Sequence, residues 1–208
     1  MDGQLVAFSA AAAVVTVVPG ADTMLVIRNG LAGGFRRGVV TAVGICCGVF
    51  VHATLVGLGM ASFLAGSHAA FACVQILGAV YLAWLGLGAL HEASIKREPS
   101  LPRPDTAPRA PIGPALQGLA SNVLNPKVVL FYLAFLPQFV SPDARIFARV
   151  MLYATVHFVE GVVWLCMVAG LVAAGNRLEN PTALRVLQGI CGTAMLSISI
   201  SLLLRAMF

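Results

Sequence analysis

The sequence predicts an all-α integral membrane protein of six transmembrane helices, built as two inverted three-helix repeats with helices 1 and 4 broken. Three observations carry this. Hydrophobic residues make up 59% of the 208-residue chain and charged residues only 10%, too little polar surface for a soluble domain of this size. Six apolar runs reach the roughly 20 residues that cross a hydrocarbon core. Two of those runs, the first and the fourth, hold a proline and a charge in their interior, at Pro19-Gly20-Ala21-Asp22 and Leu124-Asn125-Pro126-Lys127.

The runs are 4–28, 38–65, 69–90, 114–138, 147–174 and 183–206. The first begins with an alanine-rich stretch, Leu5 to Val18. It lacks a basic leader, having Asp2 instead, and continues past Pro19 to Ile27, so a retained helix is expected and not a signal peptide. The second and fifth are long enough to tilt or to include short interfacial ends. Ser67-His68 would form a very tight turn between the second and third. Gly44-x-x-x-Gly48, Gly78, Gly86 and Gly88 allow helix backbones to approach closely.

The connection 91–113 holds five prolines. Proline at that density resists regular structure, which predicts a solvated cytoplasmic linker between a first repeat, 1–90, and a second, 114–208. Val51-His52 and Val156-His157 lie 105 residues apart, and Pro19 and Pro126 lie 107 apart. Three is an odd number of spans, so the second repeat enters from the opposite side, an architecture common among transporters.

Loop charge sets orientation. Nine basic residues fall on one side (Arg28, Arg36, Arg37, Lys96, Arg97, Arg103, Arg109, Arg177 and Arg185) and three on the other (Arg145, Arg149 and Arg205). The richer side is expected to be cytoplasmic, with both termini on the non-cytoplasmic side. The net charge of +5 forms no basic stripe, which argues against nucleic acid. The five cysteines all lie in apolar runs, without the spacing of a disulfide framework.

The chemistry is expected at the two breaks. Asparagine is a strong N-cap and proline suits the first helical position, so Asn125-Pro126 reads as the start of a half-helix inside the membrane. The first amides of such a helix have no intrahelical partner and favour an anion. Lys127 lies in that same turn, disfavoured by the dipole and costing roughly 2.5 to 3.5 kcal/mol in hydrocarbon. Pro19 and Gly20 interrupt the first helix, and Asp22 falls in the turn that follows, where a carboxylate is stabilised. Asp22 is expected to face Lys127 near the midplane, giving one acid, one base, two helix starts and free carbonyls. That set complements a zwitterion. His52, His157 and Glu160 are further polar residues in apolar runs. With Asp22 they are the candidates for proton coupling.

These residues also carry a resemblance. Pro19 to Val26, followed by Arg28-Asn29-Gly30-Leu31 and Gly33-Gly34-Phe35-Arg36-Arg37-Gly38, resembles the opening of the LysE/RhtB amino-acid exporter family. So does Asn122 to Lys127, running on through Phe131 to Leu136-Pro137-Gln138-Phe139. Gly44, Gly48 and His52 fit the family's second helix, and Tyr81 to Gly86 the end of its third. The resemblance implies a bacterial inner-membrane exporter of homoserine, threonine, leucine, lysine or a similar amino acid, driven by the proton gradient. It carries Pro19, Gly20, Asp22, Asn125, Pro126 and Lys127 over as substrate-binding residues. The family pattern reads Pro-Gly-Pro at the first break, where this chain has Ala21.

A secondary transporter working by alternating access is therefore expected, and not an enzyme. No cofactor and no resident metal are expected. The partners are a small zwitterionic amino acid, protons and membrane lipid, with a homodimer left open. Two other classes stand beside this reading. A metal-ion or small-cation exporter would need clustered ligands, and Lys127 argues against a bare cation site. A membrane thiol-redox carrier would need a cysteine pair able to meet, and Cys46 and Cys47 are neighbours on one helix.

Overall fold

Helix α1 (Gly3–Val17) stops where the sequence denies it a donor. Val18 still gives its N–H to Val14, but Pro19 has none to give, and the backbone leaves the helix. It resumes at α2 (Ala21–Gly66), whose first turn carries Asp22. The interruption is complete even with alanine at position 21. The computed structural model describes residues 3–66, 68–95, 112–140, 145–175 and 181–207. Ser67 and most of the predicted linker, 96–111, lie outside them. Every regular element among the described residues is helical.

The predicted first span, 4–28, is thus two helices, and its second half continues into the predicted second span. The loop expected over 29–37 contracts to two residues. Gly33 has φ −153° and Gly34 has φ 73°, the left-handed region that costs glycine little. The chain turns back there, so that a Cβ placed on Gly38 would lie 3.6 Å from the Cα of Gly30. Asn29 closes the hairpin by donating to Thr41 Oγ1 at 2.9 Å, and Thr41 donates to the Arg37 carbonyl at 2.8 Å.

Helix α3 (His68–Ser94) runs a turn past its predicted end at residue 90. The fourth run is α4 (Pro114–Val123), α5 (Pro126–Leu130), a π turn (Phe131–Phe135) and a 3₁₀ turn (Leu136–Phe139). Pro137 explains the irregular finish, since it cannot bond four residues back. Gln138 instead turns its side-chain amide to the Ala134 carbonyl at 2.9 Å. The two halves of this run meet at 49°. Helices α6 (Ile146–Ala173) and α7 (Pro181–Met207) complete the bundle.

Residues 21–59, 76–94 and 146–173 are each long and apolar enough to cross a membrane, and the bent pair 114–139 makes a fourth candidate. At 15 residues α1 is too short to cross by itself. Helix α2 packs along α4 and α6, and α3 packs along α7. Glycine permits the closest of these approaches. Gly86 and Gly192 face each other so tightly that a Cβ on either would sit within 3 Å of the other's carbonyl oxygen. Phe8, Phe131, Phe135, Phe139 and Tyr153 fill the bundle on the side where α1 and α6 begin, with Phe8 and Tyr153 stacked at 4.9 Å.

Candidate functional site

The two breaks lie side by side. At the second, Leu124 and Asn125 leave the helix, and Asn125 caps α5 by accepting the N–H of Lys127 on its Oδ1 at 3.0 Å. Its backbone carbonyl accepts from Val128 and Val129. The other end of the same amide is turned to the first break, where Asn125 Nδ2 donates to Asp22 Oδ2 at 3.0 Å. Asn122 Nδ2 donates to the same oxygen at 3.2 Å, and Ser121 donates to Asp22 Oδ1 at 2.6 Å. Three donors from the end of α4 and the gap behind it therefore hold this carboxylate.

Lys127 takes the opposite route. Its ammonium donates to the Val18 carbonyl at 2.9 Å. That carbonyl ends α1, where the helix dipole favours a cation, so the residue misplaced at the start of α5 is well placed at the end of another helix. A Cβ on Gly20 would lie 3.6 Å from Lys127 Nζ, in ordinary van der Waals contact with the ammonium. The sequence reading has Asp22 and Lys127 facing each other. The two share a cavity, but each is bound to the other's break.

The cavity has a volume of about 50 Å³ and is walled by Asp22, Lys127, Asn122, Asn125, Thr16 and His157 on its polar side. Cys46, Val49 and Leu165 form much of its apolar side. This is room for a few waters and not for an amino acid. Gly20, Asn125 and Lys127 also border a second, open crevice of about 660 Å³, which runs between the breaks and α3. Pro19 and Pro126 line only that second space.

His157 stands between two hydroxyls, Thr16 at 3.0 Å on Nε2 and Tyr132 at 3.2 Å on Nδ1. His52 donates from Nε2 to the Asn122 carbonyl at 3.2 Å, and both imidazoles lie against the Tyr132 ring at 5.8 Å. Only His157 reaches the small cavity. Glu160 accepts a hydrogen bond from Ser9, while its Oε2 is buried with no partner among the described residues. Ser121, Asn122, Thr16 and Tyr132 were not singled out as site residues from the sequence. The signal for the first two was present: a polar pair inside an apolar run, three and four residues before a cap.

Arg28 serves the scaffold as well as the charge balance. It donates to Gln117 Oε1 at 3.0 Å, tying the hairpin to the start of α4, and Gln117 in turn donates to the Ile112 carbonyl at 2.6 Å. Cys46 is buried and Cys47 exposed, and both are free thiols on different faces of α2. Among the described residues no group of three or more His, Cys, Asp or Glu side chains is placed to hold a metal ion.

The family model of the LysE type translocators matches residues 13–206. The chain belongs to this family. It is 28% identical to an uncharacterized membrane protein, YrhP, of Bacillus subtilis over 202 residues, which is 94% of this chain and 96% of the relative. It is 32% identical to a leucine efflux protein of Klebsiella pneumoniae over 132 residues, covering 63% of this chain and 60% of that one. It is 28% identical to a threonine efflux protein of Escherichia coli over 155 residues, 74% and 75% of the two chains. No solved structure matches.

Proposed function

We propose that this member of the LysE type translocator family is a secondary transporter that exports a small amino acid across the bacterial inner membrane. The observation that carries the reading is the placement of Asp22 and Lys127 on one cavity at two adjoining helix breaks. An acid and a base on one cavity complement a zwitterion, and nothing in a purely structural bundle calls for both at the middle of apolar runs. The relatives named for leucine and threonine efflux support an amino-acid substrate.

In this reading the substrate carboxylate meets Lys127 and the start of α5, and its ammonium group meets Asp22 and the open carbonyls of the first break. Ammonium and carboxylate would displace contacts the two side chains now make with Val18 and with Asn125. Substrate binding would then loosen both breaks together, which is the event alternating access requires. The aromatic packing around Phe8 and Phe135 would close the site toward one membrane face, and the crevice beside α3 would open it toward the other.

The packing favours six passes in two repeats related by inversion. The hairpin at Gly33–Gly34 turns the chain between two of them, and α2 packs along α6 as α3 packs along α7. Loop charge supports a cytoplasmic hairpin with both termini outside. Proton coupling would run through His157 and Asp22, with His52 and Glu160 in reserve on the flanking helices. Counterflow of labelled amino acids in proteoliposomes, with and without a pH gradient, tests the whole reading. Exchange of none of them by the purified protein would end it.

A further inference from the structure

We infer that the open crevice between α3 and the two breaks is the cytoplasmic approach to the transport site, and that it receives an amino acid with an apolar side chain. This rests on the export reading and deepens it. The small cavity holds about 50 Å³, less than any amino acid needs, whereas the crevice holds about 660 Å³, within the usual range of small-molecule sites. The two spaces share Gly20, Asn125 and Lys127 as a common wall. Through that shared wall the crevice reaches Lys127.

The lining fits a substrate better than it fits lipid. Lys127 ends one side, and its ammonium has three donors, of which Val18 takes one. In the crevice a carboxylate can take another before the bond to Val18 is displaced. Facing it, α3 lines the open crevice with Trp84, Leu87 and Gly88 at helical spacing, and the Tyr81 ring lies tilted against Trp84 at 5.5 Å. These form an apolar wall for a side chain. His91 and Glu92, one turn on, line the end of the crevice toward the close of α3, where an acid attracts the substrate's ammonium group. A cationic side chain would find only that one acid. Neutral apolar amino acids are therefore favoured over lysine and arginine.

The direction follows from packing. Gly78 lies against Ala134, beyond α5, and α3 then passes the breaks, so its last turns lie on the side of the Gly33–Gly34 hairpin. That side carries Arg28, Arg36 and Arg37 and is the cytoplasmic one by the charge rule.

Gly88 permits a direct test, because a Cβ there meets no atom within 4 Å among the described residues. Gly88→Trp fills the crevice without straining the α3–α7 contact. Gly189→Trp is the control, on α7 and equally unobstructed. In proteoliposome counterflow with labelled leucine, Gly88→Trp is expected to lose most of the exchange that Gly189→Trp retains. In a chain with Cys47 and Cys73 replaced by alanine, Gly88→Cys is expected to react with a membrane-impermeant maleimide from the cytoplasmic side, more slowly when leucine is present. Leucine exchange by Gly88→Trp equal to that of the control, or labelling indifferent to leucine, overturns the assignment while leaving export intact. Failure of the unmodified protein to exchange any amino acid removes the export reading itself, and this inference with it.

Discussion

Asp22 and Lys127 line one cavity, yet each is bound to the break from which the other springs. Asp22 accepts from Asn125, Asn122 and Ser121, whereas Lys127 donates to the Val18 carbonyl. The exchange solves two local problems at once. The carboxylate supplies an acceptor to three otherwise stranded donors, and the ammonium covers a carbonyl that Pro19 leaves bare.

Removing either charge should therefore cost stability as well as transport. Asp22→Asn sets an amide nitrogen against donors and should lower stability by about 1–3 kcal/mol. Lys127→Gln loses a charge-assisted bond to Val18 and should fall in the same range of about 1–3 kcal/mol. Thermal unfolding in detergent measures the first effect and counterflow the second. Normal transport by both variants would sink the zwitterion site.

The Asn125 series separates its two tasks. Asn125→Ser keeps a cap for α5 but withdraws the donor from Asp22, while Asn125→Ala loses both, the cap alone being worth about 0.5–2 kcal/mol. The expected order of unfolding temperatures is wild type, then Ser, then Ala. Asn125→Asp keeps the cap but brings a second carboxylate to Asp22, and its transport should fall below that of the serine variant. Equal transport by all three would show that the donation to Asp22 has no part in function.

Proton coupling can be read apart from binding. Glu160→Gln leaves Ser9 an acceptor, and His157→Asn leaves Thr16 and Tyr132 a polar partner. If His157 lies on the proton route, its variant should exchange labelled leucine yet no longer respond to an imposed pH gradient. Glu160→Gln, farther from the cavity, should respond more nearly as wild type does. Gradient stimulation that survives in both would move the route elsewhere.

The glycines divide by what surrounds them. A Cβ on Gly78 would fall 1.8 Å from that of Ala134, and one on Gly118 would fall 2.3 Å from the Thr41 carbonyl oxygen. Alanine at either should cost about 1–3 kcal/mol by overpacking. Gly189→Ala meets open space and should instead gain about 0.5–1 kcal/mol through helix propensity. Unfolding temperatures that failed to separate these variants would contradict the packing described for α3 and α4.

Both breaks were legible in the sequence because proline and a charge inside an apolar run admit few explanations. Asn125 as a cap was legible for the same reason. The partners were not. Which side chains reach Asp22 depends on how α4 lies against α2, and that is set by Gly44, Gly48 and Gly118, whose contacts no periodicity reveals. The hairpin at Gly33–Gly34 was expected as a nine-residue loop because hydropathy cannot distinguish a loop from polar residues on a helix end. The π turn after Leu130 was hidden in an unbroken apolar run, and only Pro137 hinted that the helix would not finish regularly.

Asn125 holds α5 by its oxygen and Asp22 by its nitrogen, so one planar amide joins the half-helix to the carboxylate across the two breaks. A swing of the half-helix that carried this amide with it would draw a donor away from the carboxylate. In mechanical terms that side chain is a tie rod, through which a displacement at one break is felt at the other.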